Sequence, residues 1–318
     1  MYRNKKIALV IPAHNEEKLI KPTLENIPEI IDKIYVVDDK STDKQNAVVM
    51  SCAQKDKRIE LIVHEHQQGP GGAIITGYLQ SSKDNYDITV VIGGDNQMPL
   101  SEVSHFLDPL IDGKADYAKG NRFLLSKIED TLQKMPKTRL IGNWIITALT
   151  KIASGYYKTM DVVDGYTAIT KMAIDVINWG KAWKGYGYPM DFLIRLNTYG
   201  FKIIDIPRTA IYLPGEKQSQ IKSLSYVMKV SPMLIRHFFW RLKFKYLYIN
   251  FHPLVFFYYL AFVLLPIGTI FSIYLVMDKF IYDGVGVTGP RAIFAALLII
   301  TGLMFLLFAM FFDMEEGK

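Results

Sequence analysis

At 318 residues the chain has room for one large domain and an appendage, and its single cysteine, Cys52, excludes an internal disulfide. Half of the residues are hydrophobic, too many for an ordinary soluble domain, so the apolar excess must be located. One cysteine and six scattered histidines exclude a recognisable structural zinc site, and the net charge of +6 comes without the motifs of a nucleic-acid binder, so no nucleic-acid partner is expected.

Residues 7–12, Ile-Ala-Leu-Val-Ile-Pro, form an apolar run of strand length that proline stops. Both faces would be buried, as in a parallel sheet. The run is too short for a signal peptide, and His14-Asn15-Glu16-Glu17 follows where a cleavage site would stand. Residues 17–31 predict a helix with Leu19, Ile20, Leu24, Ile27 and Ile31 on one side. Residues 34–37 predict a second strand, ending in Asp38-Asp39-Lys40-Ser41-Thr42-Asp43, where Ser41 or Thr42 can cap a helix over 44–55. Strands over 59–63 and 89–92 enclose Gly69-Pro70-Gly71-Gly72 and a helix over 73–82.

Strand alternating with helix means an α/β domain with a mostly parallel sheet, and such sheets bind ligands at the carboxyl ends of their strands. Those ends carry His14-Asn15-Glu16, Asp38-Asp39 and Asp95-Asn96-Gln97. Further strands are expected over 115–123, 162–170 and 203–212, with a helix over 135–153.

From residue 223 the pattern changes. Val227, Val230, Leu234, Phe238 and Phe239 share a face interleaved with Lys and Arg, and aromatic residues follow to 250, as in helices that lie in a membrane interface. Residues 253–277 and 292–312 carry no formal charge, and each run is long enough to span a hydrocarbon core of about 30 Å. Lys229, Arg236, Arg241, Lys243 and Lys245 precede the first run without an acid among them, which places that flank in the cytoplasm. The tail returns to that side by parity. The expected domains are therefore 1–222, 223–250 and 251–318. No strong small-residue interface motif is visible in the spans, and association into a homo-oligomer stays open.

Five groups of residues carry the chemistry. Asp39, after a buried strand, can accept hydrogen bonds from ribose hydroxyls, while Asp38 or Asp43 can instead contact the base, or Asp43 can fix the turn as a cap. Asp95 is the metal candidate: Mg²⁺ or Mn²⁺ takes hard oxygen ligands, so one carboxylate, the Gln97 amide oxygen and two phosphates suffice. Gly71 and its neighbours open a helix, which suits either a phosphate or a tight turn. Arg122 and Arg139 are candidates to position an anionic acceptor phosphate, and Lys217 to reach a diphosphate. Asp164-Gly165-Tyr166 and residues 185–191 would line the acceptor side, with Asp191 as a base or sugar ligand.

Together these residues resemble the family 2 glycosyltransferases of the GT-A fold, and within them the polyprenyl-phosphate sugar synthases of the dolichyl-phosphate mannose synthase type. Pro12-Ala13-His14-Asn15-Glu16-Glu17 is similar to the family's Pro-x-x-Asn-Glu turn that holds the nucleotide, and 36–43 to its second signature. Gly120-Asn121-Arg122 resembles its Gly-Ser-Arg element near the acceptor phosphate, and Arg139 falls where a second phosphate-binding arginine is expected. The resemblance covers about 5–222. Two departures stand out. Gly93 replaces the first acid of Asp-x-Asp-x-Gln, leaving Asp95 and Gln97, and the late diphosphate arginine has only Arg208 or Lys217 as matches. The resemblance implies inverting transfer of a hexose, mannose or glucose, from a GDP- or UDP-sugar to a polyprenyl or dolichyl phosphate at the cytoplasmic face of the bilayer, with Mg²⁺ or Mn²⁺. The alternatives are a sugar or glycolipid hydroxyl acceptor, which needs a base such as Asp191, and a non-catalytic membrane scaffold, which Gly93 keeps open.

Overall fold

The computed structural model describes residues 1–124, 137–209, 211, 223–281 and 287–317. Two units pack separately: Met1–Ser154 with Lys158–His237, and Gly155–Tyr157 with Phe238–Lys318. The compositional boundaries at 222 and 250 differ from this division, which falls inside one helix, Ser223–Lys243.

The first unit is built on a seven-stranded sheet of order β3-β2-β1-β4-β6-β5-β7. Its strands are β1 Ile7–Ala13, β2 Lys33–Asp38, β3 Ile59–Val63, β4 Ile88–Val91, β5 Tyr117–Asn121, β6 Thr167–Thr170 and β7 Ile203–Pro207. β1 pairs in parallel with β2 and β4, β2 with β3, and β5 with β7; β6 runs antiparallel between β4 and β5. The apolar run of β1 is buried on both faces because helices cover both sides: Ile7, Ala8, Leu9, Val10 and Ile11 are all 0% exposed. The parallel register brings Ala13 level with Asp38, so the turns that follow β1 and β2 emerge side by side.

Helix α1 covers only Ile20–Glu25, shorter than the expected 17–31. Pro28 disfavours helical backbone at Ile27. At the other end Glu16 and Glu17 are held by the β2 turn: the Glu16 N–H donates to Gln45 Oε1 and the Glu17 N–H to Asp43 Oδ2. Helix α2, Gln45–Lys55, has no side-chain cap from Ser41 or Thr42; Asp43 Oδ1 accepts the Gln45 N–H instead. Helix α3, Pro70–Lys83, begins three residues before the expected position because Pro70 occupies its first turn, where a missing N–H costs nothing.

In the second unit, helices α9 Leu254–Phe280 and α10 Gly289–Glu316 form an antiparallel hairpin, each long and apolar enough to cross a membrane. (The intervening helices are α4 Val103–Ile111, α5 Lys137–Ser154, α6 Lys171–Val176, α7 Tyr188–Thr198 and α8 Ser223–Lys243.) The hairpin corrects the expectation of no small-residue interface. Ala261, Gly268 and Leu275 are buried on α9, and Ala295, Gly302 and Ala309 on α10, each set spaced by seven. A Cβ on Gly268 would lie 2.8 Å from Ile299 Cγ1, and one on Gly302 2.9 Å from Leu265 Cγ, so the two backbones meet where only glycine fits. At one end of the hairpin Arg241 grips Asp313 through two 2.7 Å hydrogen bonds, and Tyr246 donates to the same carboxylate. Both charged groups are fully buried. Asp313 thus lies at the same end of the hairpin as Arg241 and Tyr246, which precede the first apolar helix.

Candidate active site

A cleft of about 390 Å³ opens at the carboxyl ends of β1, β2 and β4. Pro12, Ala13, His14 and Glu16 line it from the β1 turn, Asp39 from the β2 turn, and Gly93, Gly94 and Asp95 from the β4 turn. The opposite wall is Gly165, Gly185, Tyr186, Tyr188 and Pro189, closed by Tyr226 from α8. The Tyr226 hydroxyl donates to the Tyr186 carbonyl at 2.9 Å, which fixes that wall.

The first two turns are zipped together. Asn15 takes a left-handed backbone, φ 58°, and its Oδ1 accepts from the Thr42 N–H at 2.8 Å while its own N–H donates to Ser41 Oγ. Asn15 therefore shapes the turn without lining the cleft. Asp38 and Asp39 divide as adjacent strand-end residues must, on opposite sides. Asp38 is 0% exposed and accepts from the Ser41 N–H, Gln45 Nε2 and Asn46 Nδ2, so it serves the turn and does not reach the cleft. Asp39 lines the cleft. Its Oδ1 accepts from His64 Nδ1 at 2.9 Å and the Gln68 N–H at 2.7 Å, and its Oδ2 from the Gly69 N–H at 2.7 Å. Burial alone would raise the Asp39 pKa, but these hydrogen bonds outweigh it and hold the carboxyl below the ordinary range.

Gly71 is not part of the lining. A Cβ there would lie 2.6 Å from the Trp183 carbonyl oxygen and from Tyr188 Cβ, so its role is to let α3 meet the 183–188 segment closely.

Asp95 sits half-buried at the cleft, and burial pushes its carboxyl above the usual range. Its Oδ1 accepts from the Gln97 N–H at 3.2 Å. The Gln97 side chain is not in the lining; its backbone carbonyl accepts from Arg208 Nη1 at 3.4 Å. Among the described residues no three His, Cys, Asp or Glu side chains converge to hold a metal. A desolvated carboxylate at a cleft fits a cation completed by substrate oxygens and water, and not a site made of protein alone.

The arginines lie deeper than the sequence suggests. Arg122 Nε and Nη2 each donate to Asp161 at 2.7 Å, and Nε lies 3.3 Å from Asp164. Arg208 Nε donates to the same Asp164 at 2.7 Å. Arg122 and Arg208 are thus engaged with buried carboxylates beneath the β4 turn, and neither lines the cleft. Asp191 is 0% exposed, accepts from the Trp183 N–H and Arg195 Nε, and lies 2.6 Å from His237 Nδ1. Burial works to raise its pKa, but His237 and Arg195 hold it below the ordinary value. Lys217 and the side chain of Arg139 lie outside the described residues.

Gln67, Met98, Val163 and Tyr226 line the cleft without having been singled out in the sequence, and His64 supports it. His64 follows β3 directly, so the rule that carboxyl ends carry the site would have found it. Tyr226 carries no such signal, because its contact depends on where α8 docks on its own unit.

A mostly parallel sheet whose polar turns converge on one cleft is the arrangement in which open α/β sheets bind ligands. The Glycosyl transferase family 2 model matches residues 8–177, and the chain belongs to that family. It is a glycosyltransferase with a GT-A-like α/β fold. It is 30% identical over 222 residues to the UDP-N-acetylglucosamine–dolichyl-phosphate N-acetylglucosaminyltransferase of Methanococcus voltae, covering 66% of this chain and 87% of that protein. It is 25% identical to the undecaprenyl-phosphate mannosyltransferase of Micrococcus luteus, covering 65% and 84%. Among solved structures it is similar to glucosyl-3-phosphoglycerate synthase of Mycobacterium tuberculosis in complex with Mn²⁺, UDP and phosphoglyceric acid, with TM-score 0.53, 18% identity and coverage of 75% and 78%.

Proposed function

We propose that this glycosyltransferase moves one sugar from a nucleoside-diphosphate hexose to the phosphate of a membrane polyprenol of the dolichyl type, with inversion, at the cytoplasmic face of the bilayer. The observation that carries the choice of acceptor is the state of Asp191. A hydroxyl acceptor needs a general base. Asp191, the candidate for that role, is fully buried and committed to Trp183, Arg195 and His237. A phosphate acceptor is already anionic at neutral pH and needs positioning instead.

In this reading Asp39 takes the ribose, and Pro12, Ala13, His14 and Glu16 form the floor under the nucleotide. Asp95 would hold Mg²⁺ or Mn²⁺ together with diphosphate oxygens and water. That cation, when bound, supplies charge neutralisation for the departing nucleoside diphosphate. The aromatic wall of Tyr186 and Tyr188 packs on the sugar ring and excludes water from it. Arg122 and Arg208 keep the β4 turn and the Asp164 loop in register through their shared carboxylate. The names of the relatives support a polyprenyl-type acceptor.

Support for a bilayer-seated acceptor comes from two exposed apolar faces in addition to the hairpin. On α8, Met228, Ile235 and Phe239 are exposed. On α5, Ile141, Trp144, Ile145, Leu149 and Ile152 form an exposed stripe at helical spacing. Faces of this kind suit the headgroup boundary, where a polyprenyl phosphate presents its charge.

The test is incubation of membranes carrying the protein with labelled UDP-N-acetylglucosamine, GDP-mannose and UDP-glucose, with Mg²⁺ or Mn²⁺ and several polyprenyl phosphates. An organic-extractable sugar lipid with one donor is expected. Its absence with every donor and acceptor contradicts the proposal.

A further inference from the structure

Asp39 is held by a chain of side chains that the transfer chemistry does not itself require. His64, at the end of β3, is 7% exposed and bridges two elements. Its Nδ1 lies 2.9 Å from Asp39 Oδ1 and its Nε2 2.9 Å from Thr76 Oγ1 on α3. The carboxylate only accepts, so Nδ1 carries a proton, and in the tautomer protonated there alone Nε2 accepts a hydrogen bond from the Thr76 hydroxyl. The His64 backbone N–H also donates to the Asp38 carbonyl at 2.9 Å, so the ring is fixed at its root as well as at both nitrogens.

A carboxylate offers about four acceptor positions. At Asp39 two on Oδ1 are filled by His64 and Gln68, and one on Oδ2 by Gly69. Among the described residues no further donor reaches the Asp39 carboxylate, so the remaining position belongs to Oδ2 of a side chain that lines the cleft. Rotation about the Asp39 side chain would aim that position elsewhere, and the His64 contact opposes rotation from the buried side.

We propose that His64 is a positioning residue for donor binding: backed by Thr76, it fixes the Asp39 carboxylate so that one acceptor position on Oδ2 meets a ribose hydroxyl. This inference rests on the assignment of Asp39 to the ribose given above. It predicts that His64 governs discrimination between ribose and deoxyribose nucleotides, a property that a residue of purely structural use would not alter.

The experiment measures binding of UDP and GDP, and of their 2′,3′-dideoxy forms, to the purified full-length protein, with melting temperature recorded for every variant. Wild type is expected to prefer the ribose form of the nucleotide it binds. His64→Leu should weaken that nucleotide about tenfold and bring the ribose preference close to one, the loss expected for one hydrogen bond to a charged group. His64→Asn keeps a donor near the Nδ1 position and should hold the preference within about threefold of wild type. Thr76→Val should lower the preference in the same direction, and it decides the matter if His64→Leu fails to fold. A folded His64→Leu or Thr76→Val protein with wild-type preference overturns the inference. Asp39→Asn separates the two levels. If it leaves the preference intact, the ribose assignment itself fails; if it abolishes the preference while the His64 and Thr76 variants keep it, only the positioning role fails. Failure of wild type to bind either nucleotide removes both.

Discussion

Arg122 and Asp161 form a two-pronged ion pair with both hydrogen bonds at 2.7 Å and the Asp161 carboxylate fully buried. Asp161 also accepts the Arg122 backbone N–H at 3.1 Å. The arginine that the sequence offers to an acceptor phosphate therefore begins from an internal partner.

Breaking this pair leaves an uncompensated buried charge. Arg122→Ala is expected to cost about 3–5 kcal/mol of stability. Arg122→Lys cannot reproduce the fork and should recover only part of it. Denaturation of the detergent-solubilised protein checks both, and a surface-like loss below about 1 kcal/mol would contradict the burial argument.

The same pair sets an acid limit. Burial would raise the Asp161 pKa, but the Arg122 charge and hydrogen bonds hold it well below the ordinary carboxylate range. A depressed folded pKa adds stability that is fully present above the unfolded value of about 3.9 and is lost as pH falls through the folded value. Asp161→Asn should flatten the dependence of stability on pH below about 4 and leave its slope near neutrality unchanged.

Asp191→Asn distinguishes the acceptor classes. The buried partners Trp183 and Arg195 lose a charged acceptor, so stability should fall. Transfer to a phosphate should stay within about tenfold of wild type once folding is matched, whereas loss of a general base would cost about 10²–10⁴-fold. Initial rates on folded protein give the answer.

Gly93→Asp places a second carboxylate beside Asp95. A Cβ at 93 would lie 2.9 Å from Asp95 Oδ1, so the Asp95 side chain must shift slightly to admit it. The expected outcome is a lower half-saturating concentration of Mn²⁺, read by titration of activity. An unchanged or higher value would show that the cation does not meet this turn.

Most of the sheet was legible because β1 and β2 are uninterrupted apolar runs, a pattern that only a strand buried on both faces requires. From that followed the convergence of the β1, β2 and β4 turns, and six candidate residues do line one cleft: Pro12, Ala13, His14, Glu16, Asp39 and Asp95. Side-chain direction was not legible. Asp38 and Asp39 are chemically identical neighbours, and only strand register decides which one faces the cleft. Asn15 turns away because its backbone is left-handed. The engagement of Arg122 and Asp191 depends on Asp161 and His237, which are distant in sequence, and no local pattern announces such partners. The seven-residue spacing of Ala295, Gly302 and Ala309 becomes informative only when paired with Ala261, Gly268 and Leu275 on the facing helix.

The central claim is transfer of a sugar, without its phosphate, to a polyprenyl phosphate at the Asp95 turn. Its most direct test uses a donor doubly labelled, tritium in the sugar and ³²P in the β-phosphate, with wild type and Asp95→Ala. The expected result is tritium in the polyprenyl lipid, ³²P in the released nucleoside diphosphate, and loss of both with Asp95→Ala. Both labels in the lipid, or full transfer by Asp95→Ala with cation dependence intact, would contradict it.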